Sequence, residues 1–107
     1  MSAKTLIVFF NLKSTTHEGD YLEWARNADL PTVRGLSSVK AFDVFKGISM
    51  FGSDKSSPWQ YFEVIQINSE QDFLVDIGTT EMQNIVAQFQ AFTEDAHFIV
   101  TENIIAA

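Results

Sequence analysis

Thr5-Leu6-Ile7-Val8-Phe9-Phe10-Asn11-Leu12 is the stretch whose reading decides the fold. Side chains alternate along a strand, so Leu6, Val8, Phe10 and Leu12 share one face while Ile7 and Phe9 share the other. Both faces are apolar, and a strand apolar on both sides is covered on both sides. Helices can cover one face in a chain of 107 residues. The second cover has to come from elsewhere, and a subunit partner is the economical source. The stretch therefore predicts a homodimer as well as a strand.

Helix signals follow this strand. Thr15-Thr16-His17-Glu18 fits a capping box, with Thr15 as N-cap and Glu18 three residues on. The helix should run to about Asn27, with Pro31 blocking its continuation. A second strand is expected over 39–46, then a loop over 47–57 with Gly47, Gly52 and several serines. Pro58 opens a third strand. Ser69-Glu70-Gln71-Asp72 starts another helix, with Gly78 as its C-cap. From Thr80 the apolar residues Met82, Ile85, Val86, Phe89 and Phe92 recur at the spacing of one helix face. A fourth strand is expected over 96–103.

The order β-α-β-β-α-β is the ferredoxin-like pattern, an α+β fold with a four-stranded antiparallel sheet and helices on one face. Two such sheets, bare face to bare face, would form a dimeric α+β barrel. No linker or low-complexity stretch divides the chain, so residues 1–107 are expected to form one domain.

The third strand, Trp59-Gln60-Tyr61-Phe62-Glu63-Val64-Ile65-Gln66-Ile67, carries the most informative residue. Alternation puts Trp59, Tyr61, Glu63 and Ile65 on one face. A carboxylate in a buried strand must be paired, solvated in a cavity, or neutralised by a raised pKa. Two readings fit Glu63. It lies in the wall of a pocket for a small aromatic ligand, or it sits on an edge strand and reaches water.

Composition narrows the function classes. The net charge of −7 argues against nucleic acid and anionic membranes as partners. The absence of cysteine excludes disulfides, thiolate metal sites and Cys nucleophiles. The apolar run near the N-terminus is too short to span a bilayer and no small-residue cleavage site follows it, so a cytoplasmic protein is the default. Ten phenylalanines should make aromatic packing dominant in the core. The chain has no Gly-rich phosphate cradle, dinucleotide fingerprint or Ser nucleophile elbow.

Several segments, in order, resemble the small RedY/HapK-like proteins of prodigiosin-type pigment pathways. They are Trp24-Ala25-Arg26, Asp29-Leu30-Pro31-Thr32-Val33-Arg34, Leu36-Ser37-Ser38-Val39 with Phe42 and Val44, Tyr61-Phe62-Glu63-Val64-Ile65, and the helix from Met82 to Phe92. The resemblance covers most of the chain and rests on order and spacing. It implies a small cytoplasmic homodimer of secondary metabolism, on the bipyrrole branch, handling a pyrrole- or indole-type intermediate without a cofactor. It raises Trp24, Asp29, Tyr61 and Glu63 together as site residues.

Glu63 and Asp29 are the leading acid–base candidates, because a carboxylate on an apolar wall is pushed toward a neutral pKa. Tyr61, beside Glu63, is placed to donate a hydrogen bond to a ligand carbonyl. Trp24 offers a stacking surface or packs in the core. Arg34 neutralises Asp29, holds an anionic group, or locks a loop by a salt bridge. His17 and Tyr21, four apart on the first helix, can touch and join the binding residues; the alternative for His17 is an exposed first turn. His97 shares a strand face with Ile99 and Thr101, looks into the barrel, and is a further proton-transfer candidate. The two histidines lack a metal-ligand spacing, so no metal or haem is expected. Phe51, with Ile48 and Met50, belongs to a loop that is either a lid or a dimer contact.

Three functions compete at this point. One is a cofactor-independent acid–base enzyme. The second is a non-catalytic carrier or protector of the same intermediate. The third is a cofactor-free, oxygen-dependent monooxygenase.

Overall fold

The structure, a computed structural model, describes residues 3–105. The elements run β1 (Lys4–Leu12), α1 (Glu18–Trp24), a π-helical turn (Ala25–Asp29), α2 (Leu30–Arg34), β2 (Val39–Lys46), β3 (Tyr61–Ile67), α3 (Glu70–Ile77), α4 (Thr80–Phe92) and β4 (Thr93–Thr101). The strands form one antiparallel sheet in the order β2-β3-β1-β4. This is the α+β ferredoxin-like fold. β3 and β1 are the inner strands.

The alternation of β1 decides the layers. Leu6, Val8, Phe10 and Leu12 are buried on the helix side, in one core with Tyr21, Ala25, Val33, Met82, Ile85 and Phe89. The centre of that core is aromatic. Phe10 packs edge-on to Phe89 and Tyr21 at ring separations of 4.9 and 5.9 Å, and stacks on Tyr61 at 5.9 Å. Truncating a buried Phe to Ala typically costs about 3–5 kcal/mol, so Phe10 is a residue the fold depends on. The other face of the sheet carries no helix. Ile7 and Phe9 of β1, Phe62 and Val64 of β3, and Phe45 and Ile99 of β2 and β4 lie there, only partly buried or exposed.

The first helix departs from the capping-box expectation. It starts at Glu18 with His17 at the N-cap, and no side chain caps it. Thr15 lies before the helix start, and the Glu18 carboxylate accepts from the Tyr61 hydroxyl and pairs with Lys46 at 3.0 Å. Nor does Pro31 end the helical run. A π-helical turn precedes it, in which the Leu30 N–H reaches five residues back to the Ala25 carbonyl. Pro31 lacks an N–H and its ring would press on the carbonyl four residues earlier. The widened turn relieves that conflict, and Pro31 then sits in the first turn of α2, where proline is tolerated.

Three strand details also differ. β3 begins at Tyr61, because 58–60 form a bend. Trp59 therefore escapes the alternation and lies with Phe9, at a ring separation of 4.9 Å, on the helix-free face. The bend is held by Gly47, whose N–H bonds the Gln60 carbonyl and where a Cβ would collide with the Trp59 carbonyl and the Ser57 side chain. β4 starts at Thr93, three residues earlier than its apolar pattern suggests. It also bulges: His97 pairs with Phe9 and Glu94 with Asn11, so Asp95 and Ala96 together face Phe10. Asp95 takes a left-handed φ of 56°, a conformation Asp tolerates better than most residues.

Among the described residues, no helix is long and apolar enough to cross a membrane.

Candidate functional site

Glu63 lies at the middle of β3, an inner strand, with 4% of its surface exposed. The edge-strand reading therefore fails: Val8 of β1 and Val44 of β2 flank Glu63 on either side. Its side chain points to the helix layer with Tyr61 and Ile65, and Oε2 has no hydrogen-bond partner.

Asp29 comes from the opposite layer. It is the last residue of the π-helical turn, is 4% exposed, and its Oδ2 is likewise unpartnered. A π turn rotates the following residues relative to an α-helix and is often retained where a side chain must be aimed. Here it turns Asp29 inward. Asp29 and Glu63 line one cavity of about 450 Å³ between sheet and helices. Phe42, Ile65, Phe73, Met82 and Phe89 make its walls apolar, and the β4 bulge brings Thr93, Glu94 and Asp95 to it.

The electrostatics follow from that setting. Burial pushes Asp29 up to about 7. Burial, and then the charge of Asp29, hold Glu63 well above the ordinary carboxylate range. Two carboxyls that repel in an apolar cavity cannot both ionise readily near neutral pH, so the pair retains a proton there. Tyr21 of α1 is fully buried and its hydroxyl has no partner. Burial and the charges of Glu63 and Asp29 raise its pKa, so it stays a neutral O–H donor beside the pair.

The remaining candidates are dispersed. Tyr61 shares the face of Glu63, but its hydroxyl donates to Glu18 and does not reach the cavity lining. Trp24 packs on Tyr21 and Phe92 and donates its indole N–H to Gln88 at 2.6 Å, tying α1 to α4. Arg34 does not neutralise Asp29. Its guanidinium donates to the Phe42 carbonyl at 2.9 Å and pairs with Asp43 at 3.0 Å on the surface. α2 packs beside β2, which puts those acceptors within reach of Arg34. His97 stacks on Phe9 at 5.2 Å on the helix-free face, opposite to Glu63. His17 is an exposed N-cap residue. Phe51 is fully exposed, and its loop does not border the cavity of Asp29 and Glu63. Among the described residues, no three His, Cys, Asp or Glu side chains gather as a metal site would require.

The acidic bulge of β4 escaped the sequence reading, since a bulge is set by pairing with β1 and leaves no local signal. The adjacent acids Glu94-Asp95 at the start of a strand were the only hint.

The HapK family profile, described as REDY-like protein HapK, matches residues 4–104. The chain belongs to the HapK family. Its fold is that of the crystal structure of HapK from Hahella chejuensis, with a TM-score of 0.77 and 26% identity over 94% of this chain and 92% of that one. A hydroxynitrile lyase from Passiflora edulis is similar in fold only, with a TM-score of 0.79 and 15% identity over 96% of this chain and 95% of that one. So is a DABB family protein with a ferredoxin-like fold from Mesorhizobium loti, with a TM-score of 0.73 and 14% identity over 97% of this chain and 99% of that one. No curated protein sequence matches this HapK-family chain.

Proposed function

We propose that the protein is a small acid–base enzyme of secondary metabolism that works without a cofactor. It acts on a planar pyrrole- or indole-type intermediate of a prodigiosin-type pathway, the pathway that the family resemblance implies. The observation that carries this reading is the pair of buried, unpartnered carboxyls on one apolar cavity. Membership of the HapK family supports it. That a hydroxynitrile lyase has the same fold supports the fold's capacity to house an enzyme.

A pair that holds one proton near pH 7 can act as acid and base in the same turnover. In a condensation–dehydration the protonated carboxyl gives its proton to the departing hydroxyl, which leaves as water. The ionised carboxyl takes the proton released from ring nitrogen or carbon. The pair ends with the same number of protons, and its members have exchanged roles. Tautomerisation and ring closure use the same two transfers without loss of water. The buried Tyr21 hydroxyl feels the charge of both carboxyls and stays neutral beside them. The largely apolar walls would shield a bound ring from water.

We propose further that two copies pair through the helix-free face. Ile7, Phe9, Phe62 and Ile99 there are apolar and partly open to solvent, and burying such area contributes roughly 25 cal/mol per Å².

The test of the enzyme reading is product analysis by mass spectrometry. The protein is incubated with bipyrrole and indole-type intermediates beside Glu63→Gln and a protein-free control. A product formed by wild type and not by the variant is the expected result. Slower spontaneous decay in both protein samples, with no new product, would replace the enzyme with a carrier.

A further inference from the structure

We infer that the cavity selects its ligand by charge: it takes a planar ring bearing a cationic or N–H-donating nitrogen and turns away anions of the same shape. This deepens the proposed function and rests on its reading of the cavity as a site for aromatic rings.

Every ionisable group lining the cavity is an acid. Asp29 and Glu63 lie within it, and Glu94 and Asp95 stand at the bulged start of β4. No lysine, arginine or histidine lines it among the described residues. Arg34, the nearest cation in sequence to Asp29 on its C-terminal side, is held on the surface by Asp43 and the Phe42 carbonyl. An anion entering would meet like charge without a counter-ion in a low-dielectric space.

The unpartnered atoms point the same way. Oδ2 of Asp29 and Oε2 of Glu63 are buried acceptors with nothing donating to them. The Thr93 hydroxyl is already committed to the Phe89 carbonyl at 2.8 Å. A ligand with ring N–H groups or a protonated amine supplies the missing donors, and a carboxylate supplies none.

The groups that bear on the pair are few. Tyr21 of α1 is buried within electrostatic range of both members, Asp29 acts on Glu63 from the π turn, and Glu94 and Asp95 of β4 line the same cavity. The α2, α3, α4 and β2 residues that line the cavity are apolar apart from the amide of Gln90. A cation must therefore displace protons from the pair as it binds, and its affinity must rise with pH.

The experiment is isothermal titration calorimetry of the intact protein with tryptamine, 3-methylindole and indole-3-acetate. These share one ring and are cationic, neutral and anionic. Titrations are run at about pH 6 and about pH 8, in buffers of different ionisation enthalpy. Tryptamine should bind at least about tenfold more tightly than indole-3-acetate at the higher pH, with proton release, and the preference should shrink at the lower pH. Glu63→Gln should narrow the preference; where that variant does not fold, the pH dependence of wild type reads the same property. Indole-3-acetate binding as tightly as tryptamine overturns the charge selection and leaves the aromatic cavity standing. Binding of none of the three overturns both.

Discussion

Asp29 and Glu63 repel each other across the cavity they share, and among the described residues no cation pairs with either. Such a pair works against folding whenever it is ionised. The Asp29 pKa rises from 3.8 to about 7 on folding, so the folded state holds more protons than the unfolded state between those values. Stability must then fall as pH rises through that window, and the raised Glu63 pKa adds to the fall in the same sense. Glu18, whose pKa is lowered by Tyr61 and Lys46, acts in the opposite sense and loses its contribution in acid. Calorimetric Tm should therefore peak near about pH 4–5 and drop by several degrees toward about pH 8. Asp29→Asn should flatten the drop. A profile that rises from pH 5 to pH 8 would contradict the buried pair.

The two tyrosines near Glu63 should separate cleanly. Tyr61→Phe removes a hydrogen bond to a largely exposed Glu18 and should cost about 1 kcal/mol of stability in urea unfolding. Its effect on product formation should be under about threefold. Tyr21→Phe removes a buried hydroxyl that has no partner in the free protein, so stability should hold or rise slightly. Turnover should fall by about tenfold or more, because the buried hydroxyl that interacts electrostatically with both carboxyls is gone.

Arg34 offers a control on the electrostatics. Its pair with Asp43 is half exposed on both sides, and such pairs contribute about 0–1 kcal/mol. Arg34→Ala should leave the pH–rate profile where it is. A shift of the acidic limb would mean that Arg34 does reach Asp29.

Light scattering at micromolar concentration should return the mass of a dimer. Phe9→Lys, on the helix-free face and in contact with Trp59 and His97, should return a monomer whose far-UV circular dichroism is unchanged. A monomeric wild type would leave the apolar face unexplained and remove the dimer proposal.

How much of this is legible in the chain varies by residue, for physical reasons. Glu63 is legible because an acid in an alternating apolar strand conflicts with its surroundings. The β-α-β-β-α-β order is legible because strand and helix periods are local. The partnership of Asp29 with Glu63 is not, since it depends on the π turn before Pro31, and proline more often stops a helix than loosens it. Sequence adjacency favoured Tyr61 over Tyr21, yet the Tyr61 hydroxyl is drawn off by Glu18 from the first turn of α1. Trp59 and His97 pack together with Phe9 because β3 starts late and β4 bulges, and both features arise only when the strands pair.

The most direct measurement is a pH titration of the Asp29 and Glu63 side-chain carboxyls by carbon-13 NMR in the free protein. Asp29 should titrate near about pH 7 and Glu63 well above the ordinary carboxylate range, with the Glu63 midpoint moving when Asp29 is made an amide. Independent titration of both near their ordinary values of about 4 would contradict a shared proton and with it the acid–base account.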